Sequence, residues 1–201
     1  MSEIYIANAA RLPIGKNQGS LAKLSPTEMG TIAAKEVIAR AGVDPAAIDS
    51  VVAGNVVPTT PSDAYLSRKI GINSGLKDSS IAFNVNRLCG SGVQAIVSAG
   101  QQIMSGDAEL ALAAGVEHMS SAPYSVKGMR TGGLKMGDGV LEDWLLGTLA
   151  CPFGTGHMGV TAENVAEEYG ISRERQDEFA AESQRRAAAA RDNGVHKEEI
   201  V

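Results

Sequence analysis

A chain of 201 residues can build one or two domains with a sizeable core. Its net charge of −5 speaks against a general nucleic-acid surface, and no apolar run approaches the roughly 18 residues that a membrane-spanning helix needs. Two cysteines, Cys89 and Cys151, are too few for a disulfide framework and have no metal-ligand spacing around them, so no metal is expected and a reducing cytoplasm is the simplest location. The opening residues lack both the charged and the apolar segments of a secretory leader.

In chain order, Ile4, Ile6 and Ala9 alternate with polar or small residues and predict a first strand ending before Pro13, followed by a loop over 11–19. Ser25 as N-cap, Pro26 at the first helical position and Glu28 closing a capping box predict a helix, with Met29, Ile32, Ala33, Val37 and Ile38 on its apolar face and Gly42 at its end. Asp44 and Pro45 cap one short turn. A β-branched run over 51–57 predicts a strand, Pro58 to Pro61 form a turn cluster, and 63–70 a short helix. Further strands are expected over 81–85 and 109–115, with a helix over 90–105 between them. Strand and helix in alternation imply a mostly parallel sheet covered on both faces, an α/β fold.

The texture changes after Met119. Residues 120–139 are rich in Gly, Ser, Lys and Met and read as a long loop. Trp144 lies in the apolar stretch 141–149, and 151–156 forms a turn. Two helices are expected over 161–169 and from an N-cap at Ser172 to about Asp192, where Asn193 and Gly194 stop the second. Residues 196–201 are expected to carry no terminal element. The domain reading is 1–119 for the layered α/β domain and 120–201 for part of a second, loop-like domain.

The stretch that organises the chain is 81–106. A short strand runs into Asn86-Arg87-Leu88-Cys89-Gly90-Ser91-Gly92, then into a helix that is apolar on nearly all sides and so is expected to be buried at the centre of the fold. Cys89 sits just before that helix. Unpaired N–H groups and the helix dipole there favour a thiolate, which is the nucleophilic form of cysteine. Gly90 and Gly92 are expected to clear space for a substrate and to permit unusual backbone angles. A rigid helix is a good mount for a nucleophile. The residues alone leave a second reading open, in which Cys89 is a small buried hydrophobe without chemistry.

Asn86-Arg87-Leu88-Cys89-Gly90-Ser91-Gly92 resembles the nucleophile motif of the thiolases. Four further segments agree in order: 10–15, with Leu12 where Thr is usual in that family; Gly54-Asn55-Val56; 115–120 with Ala122-Pro123-Tyr124; and 157–164, beginning His157-Met158-Gly159. The resemblance implies a layered βαβαβ thiolase-like N-terminal domain with a mostly parallel mixed sheet around a buried helix, plus part of the loop domain. It implies acyl transfer between coenzyme A and acetyl-CoA, acetoacetyl-CoA or longer 3-ketoacyl-CoA through an acyl-cysteine on Cys89, with the Cys89 backbone N–H in the oxyanion hole. It also implies that Leu149, His157 and Met158 lie along the pantetheine end of coenzyme A, which is a substrate, so that no cofactor is needed. Core packing for Leu149 and Met158, and a structural hydrogen bond for His157, are the plain alternatives.

The resemblance also marks what these residues do not supply. The thiolases place the histidine that activates the nucleophile, a water-orienting asparagine and a second, proton-moving cysteine in a further, similar domain. Cys151, His118 and His196 match none of these positions. The expectation is therefore a truncated thiolase or one half of a split one, nearly inactive alone. A non-catalytic acyl-CoA-binding or dimerising fragment is the alternative reading, and a condensing enzyme acting on carrier-protein thioesters is a third. Residues 63–68 and 122–124 look closer to 3-ketoacyl-CoA thiolases, whereas His157-Met158-Gly159 looks closer to acetoacetyl-CoA thiolases; an acetyl-CoA acetyltransferase is placed first. Family dimers use sheet-edge contacts beside the nucleophile turn, and tetramers use the loop domain. Lys127, Arg130 and Lys135 would suit a tetramer loop, an approach to coenzyme A phosphates, or a solvated loop.

Overall fold

The computed structural model describes residues 3–133 and 135–201. The chain divides into two compact units, Met1–Pro123 with Glu199–Val201, and Tyr124–Glu198.

In the first unit, helix α1 spans Pro26–Ala41. Both halves of the expected capping box form: the Glu28 N–H donates to Ser25 Oγ, and Glu28 Oε2 accepts from the Ser25 N–H. Gly42 closes the helix in the left-handed region at φ 65°. Asp44 caps the short turn Pro45–Ala47 through the Ala46 N–H. Strand β1 (Ser50–Gly54) follows and is buried along its whole length. A single turn over Pro61–Tyr65 leads into α2, Leu66–Asn73. Strand β2 (Ile81–Val85), helix α3 (Ser91–Ser105) and strand β3 (Ala111–Gly115) complete the unit.

The three strands form one parallel sheet in the order β2-β1-β3, with Ser50 in register with Ile81 and Ala111 and Gly54 with Val85 and Gly115. Side chains alternate along β1, so its neighbours divide by face. Val51 and Ala53 join Ala34 and Ile38 of α1 and Leu66 and Ile70 of α2 in the larger core. Val52 packs on the other face against Ala95 and Ala99 of α3. The expected α/β class and the two covered faces are both present.

Several expectations fail here, each for a physical reason. Residues 4–9 form no strand: Tyr5 and Ile6 are exposed, and an alternating segment becomes a strand only when a neighbouring backbone pairs with it. The sheet therefore has three strands rather than four. Helix α3 is not buried all round. It sets its small residues on the sheet, while Val93 is 67% and Ile96 50% exposed. Strand β2 lies at the sheet edge, leaving Ile81 and Phe83 partly open. The tail does carry a terminal contact. Ile200 bridges to Arg11, whose N–H donates to the Glu199 carbonyl at 2.8 Å and whose carbonyl accepts from the Val201 N–H at 2.9 Å.

In the second unit, strands β4 (Tyr124–Val126) and β5 (Leu141–Asp143) pair antiparallel, so the long loop expected over 120–139 is framed by two short strands. Asp143 caps α4 (Trp144–Leu149), accepting from the Leu145 and Leu146 N–H groups. Strands β6 (Ala150–Cys151) and β7 (Gly156–His157) pair around the expected turn. Helix α5 (Met158–Glu168) starts before its expected first residue because His157 supplies the cap. Helix α6 (Arg173–Asp192) starts from Ser172 as expected. No described helix is long and apolar enough to cross a membrane.

Candidate functional site

The Cys89 turn leaves β2 at the C-terminal end of the parallel sheet, the end at which open α/β sheets bind ligands. Its shape comes from hydrogen bonds made by its neighbours. Ser91 Oγ accepts from the Arg87 N–H at 2.8 Å and donates to the Leu88 carbonyl at 2.6 Å. The Gly90 N–H donates to the Arg87 carbonyl and the Ser91 N–H to the Leu88 carbonyl, both at 3.0 Å. Asn86 Oδ1 accepts from the Leu88 N–H at 3.0 Å, and Arg87 reaches Gln94 Oε1 at 2.9 Å. The Cys89 thiol and N–H take no part in these bonds. Cys89 is exposed, so the reading of an inert buried cysteine fails.

Leu88 carries the conformational load of the turn. Its φ is 48°, a left-handed angle that costs a side-chain-bearing residue about 1–2 kcal/mol. Such strain persists where surrounding bonds over-determine it. The expectation of unusual backbone angles at Gly90 and Gly92 is corrected accordingly, since neither has a positive φ. The φ of Gly90 is −87°, and a Cβ at Gly92 would meet nothing within 4 Å. Gly54 is the glycine that matters, because a Cβ there would stand 2.6 Å from the carbonyl carbon and oxygen of Ser91. Ser91 and Gly54 thus position the turn, although the sequence drew attention to its other members.

In the second unit, the β6–β7 bridge pairs Ala150 with His157, placing the residue after Leu149 beside His157, with Met158 next in line. Leu149 is half-buried and Met158 is 45% exposed. His157 caps α5, its Nδ1 accepting from the Gly159 N–H at 3.0 Å. In a neutral ring that bond leaves the proton on Nε2. A cleft of about 490 Å³ lies along α4, lined by Glu142, Asp143, Trp144, Gly147 and Thr148; none of the expected residues lines it. Lys127 pairs with Glu142 at 2.6 Å, so its charge is engaged within the unit. Among the described residues no group of three or more His, Cys, Asp or Glu could hold a metal ion.

Cys151 is the second thiol. The Thr155 hydroxyl, joined by N–H groups of Phe153, Thr155 and Gly154, holds it below the ordinary thiol range. Iodoacetamide should therefore alkylate Cys151 at a lower pH than an ordinary cysteine, and Thr155→Val should move that profile upward; peptide mapping across a pH series checks both.

The first unit is thus an α/β layer that presents an exposed thiol on a hydrogen-bonded turn. The whole of 4–201 matches the model for "Thiolase, N-terminal domain", and the chain belongs to that family. It is 49% identical over 199 residues to the Beta-ketothiolase BktB of Cupriavidus necator, covering 99% of this chain and 50% of that protein. It is 42% identical to an acetyl-CoA acetyltransferase of Escherichia coli K12, covering 100% of this chain and 51% of that one. The structure of human mitochondrial 3-ketoacyl-CoA thiolase in complex with CoA superimposes with a TM-score of 0.92 at 39% identity, over 96% of this chain and 49% of that chain. The chain thus spans about half the length of these relatives.

Proposed function

We propose that these residues are the nucleophile-bearing part of a thiolase that moves acyl groups between coenzyme A and 3-ketoacyl-CoA through an acyl-Cys89. The observation that carries this is the exposed Cys89 on a hydrogen-bonded turn at the C-terminal end of the sheet, in a chain of the thiolase family. In the degradative direction the Cys89 sulfur attacks the 3-keto carbon and the C2–C3 bond breaks. The acyl group stays on sulfur, and the departing carbanion takes up a proton to leave as acetyl-CoA. A second coenzyme A thiol then attacks the thioester, its proton returning to the Cys89 sulfur as the new acyl-CoA leaves. The synthetic direction runs these steps in reverse, starting from an acetylated Cys89.

The Cys89 N–H serves as one donor to the oxyanion in each step, and Leu149, His157 and Met158 flank the pantetheine arm. Coenzyme A is a substrate and no cofactor is required. Acetyl-CoA and acetoacetyl-CoA are the first substrates to try, followed by longer 3-ketoacyl-CoA. The open edge of β2, beside the nucleophile turn, supports a homodimer paired along that edge.

No histidine or carboxylate belongs to the hydrogen bonds of the turn described above. General-base assistance is worth roughly 10²–10⁴-fold in rate. A purified polypeptide of these 201 residues should therefore accept acetyl groups from acetyl-CoA but turn over acetoacetyl-CoA and coenzyme A negligibly. A coupled assay checks this. Sustained turnover would refute the division of labour, and failure to take up any acetyl group would favour a non-catalytic acyl-CoA-binding role.

A further inference from the structure

Beyond the strands, one side chain ties the exit of β3 to that of β1. Glu117 follows β3, and its carboxylate accepts three bonds from the β1 exit: from the Val56 N–H to Oε2 at 2.9 Å, from the Val57 N–H to Oε1 at 2.9 Å and from Asn55 Nδ2 to Oε1 at 3.1 Å.

 The β1 exit is in turn joined to the exit of β2. The Asn55 N–H donates to the Val85 carbonyl at 3.1 Å, and Asn86 Nδ2 donates to the Val56 carbonyl at 3.4 Å. Asn86 then holds the Leu88 N–H through Oδ1 at 3.0 Å, and Leu88 is the left-handed residue next to Cys89.

We infer that Glu117 is a positioning residue for the nucleophile: through the β1 exit and Asn86 it holds Leu88 in its left-handed conformation and so aims the Cys89 N–H and thiol. The inference rests on the reading of Cys89 as the acylated residue. A carboxylate suits the role because both of its oxygens face N–H donors. Glutamine would turn an NH₂ group toward one of them, so the shape survives while the clamp loosens.

The test uses the full chain with Glu117→Gln, Asn86→Ala and the double variant. Amide exchange at Leu88 is read by NMR, and the rate of Cys89 acetylation by acetyl-CoA is divided by its rate of alkylation by iodoacetamide. Alkylation builds no oxyanion, so the ratio reports aim rather than thiol exposure. Each single variant should lower the ratio about tenfold, the scale of one lost hydrogen bond, and the double variant should be no worse than the weaker single. Leu88 exchange should rise about tenfold in Glu117→Gln while Val52, in the buried centre of β1, stays protected. Leu88 exchange that is unchanged, or that rises only in step with Val52, overturns the inference, as does a ratio that stays constant or losses that multiply in the double variant. If the unsubstituted chain takes up no acetyl group, the reading of Cys89 fails, and the exchange at Leu88 still decides whether the relay exists.

Discussion

Cys89→Ala should abolish acetyl transfer from acetyl-CoA to the chain, whereas Cys151→Ala should leave it intact. The contrast matters because Cys151 is the thiol whose environment favours the thiolate, through the Thr155 hydroxyl and the N–H groups around it. A lowered thiol is a readier nucleophile than an ordinary cysteine, so Cys151 is the competitor to exclude. Thioester exchange passes through a tetrahedral oxyanion, and one well-placed donor to that oxyanion is worth about 10²–10³ in rate. Cys89 has its own N–H outside the turn's hydrogen bonds, in a turn held by Ser91 and Asn86. Mass spectrometry of peptides after incubation with acetyl-CoA distinguishes the two thiols. An adduct on the Cys151 peptide, or one that survives in Cys89→Ala, would remove Cys89 from the proposed mechanism.

Local signals were legible wherever a few adjacent residues decide the structure. Ser25, Pro26 and Glu28 give α1 its start, Gly42 gives its end, and Ser172 starts α6. The strand–turn–helix around Cys89 was legible for the same reason, and so was the alternation that makes the sheet parallel. What escaped notice depends on partners distant in sequence. Residues 4–9 have the alternation of a strand but no ladder, and apolar residues around α3 say nothing about which of its sides meets the sheet. The left-handed angle falls on Leu88, a residue type that gives no warning of it, while the neighbouring glycines adopt ordinary angles. Glu117 reads as one member of a family-like motif, and only the fold brings its carboxylate to the exit of β1.

Gly54→Ala should be the most damaging single methyl group in the first unit. The added Cβ would stand 2.6 Å from both the carbonyl carbon and oxygen of Ser91 and 2.9 Å from the Gly92 nitrogen. These are backbone atoms in the first turn of α3, so no side chain can swing aside to make room. Gly54 ends a strand that is wholly buried and paired on both edges, so β1 cannot yield either. Relief must come from lifting the start of α3, which carries Ser91 and with it the bonds to Arg87 and Leu88. Overpacking of this kind costs about 1–3 kcal/mol, and the immobile neighbours place this case toward the upper end. Gly92→Ala is the matched control: a methyl group there meets nothing within 4 Å, and replacing glycine within a helix by alanine favours the helix by up to about 1 kcal/mol. Urea unfolding should therefore move in opposite directions for two glycines that meet at the same helix end. Equal stability for the two variants would show that α3 is not seated on β1 at Gly54, and the account of how the sheet positions Cys89 would fall with it.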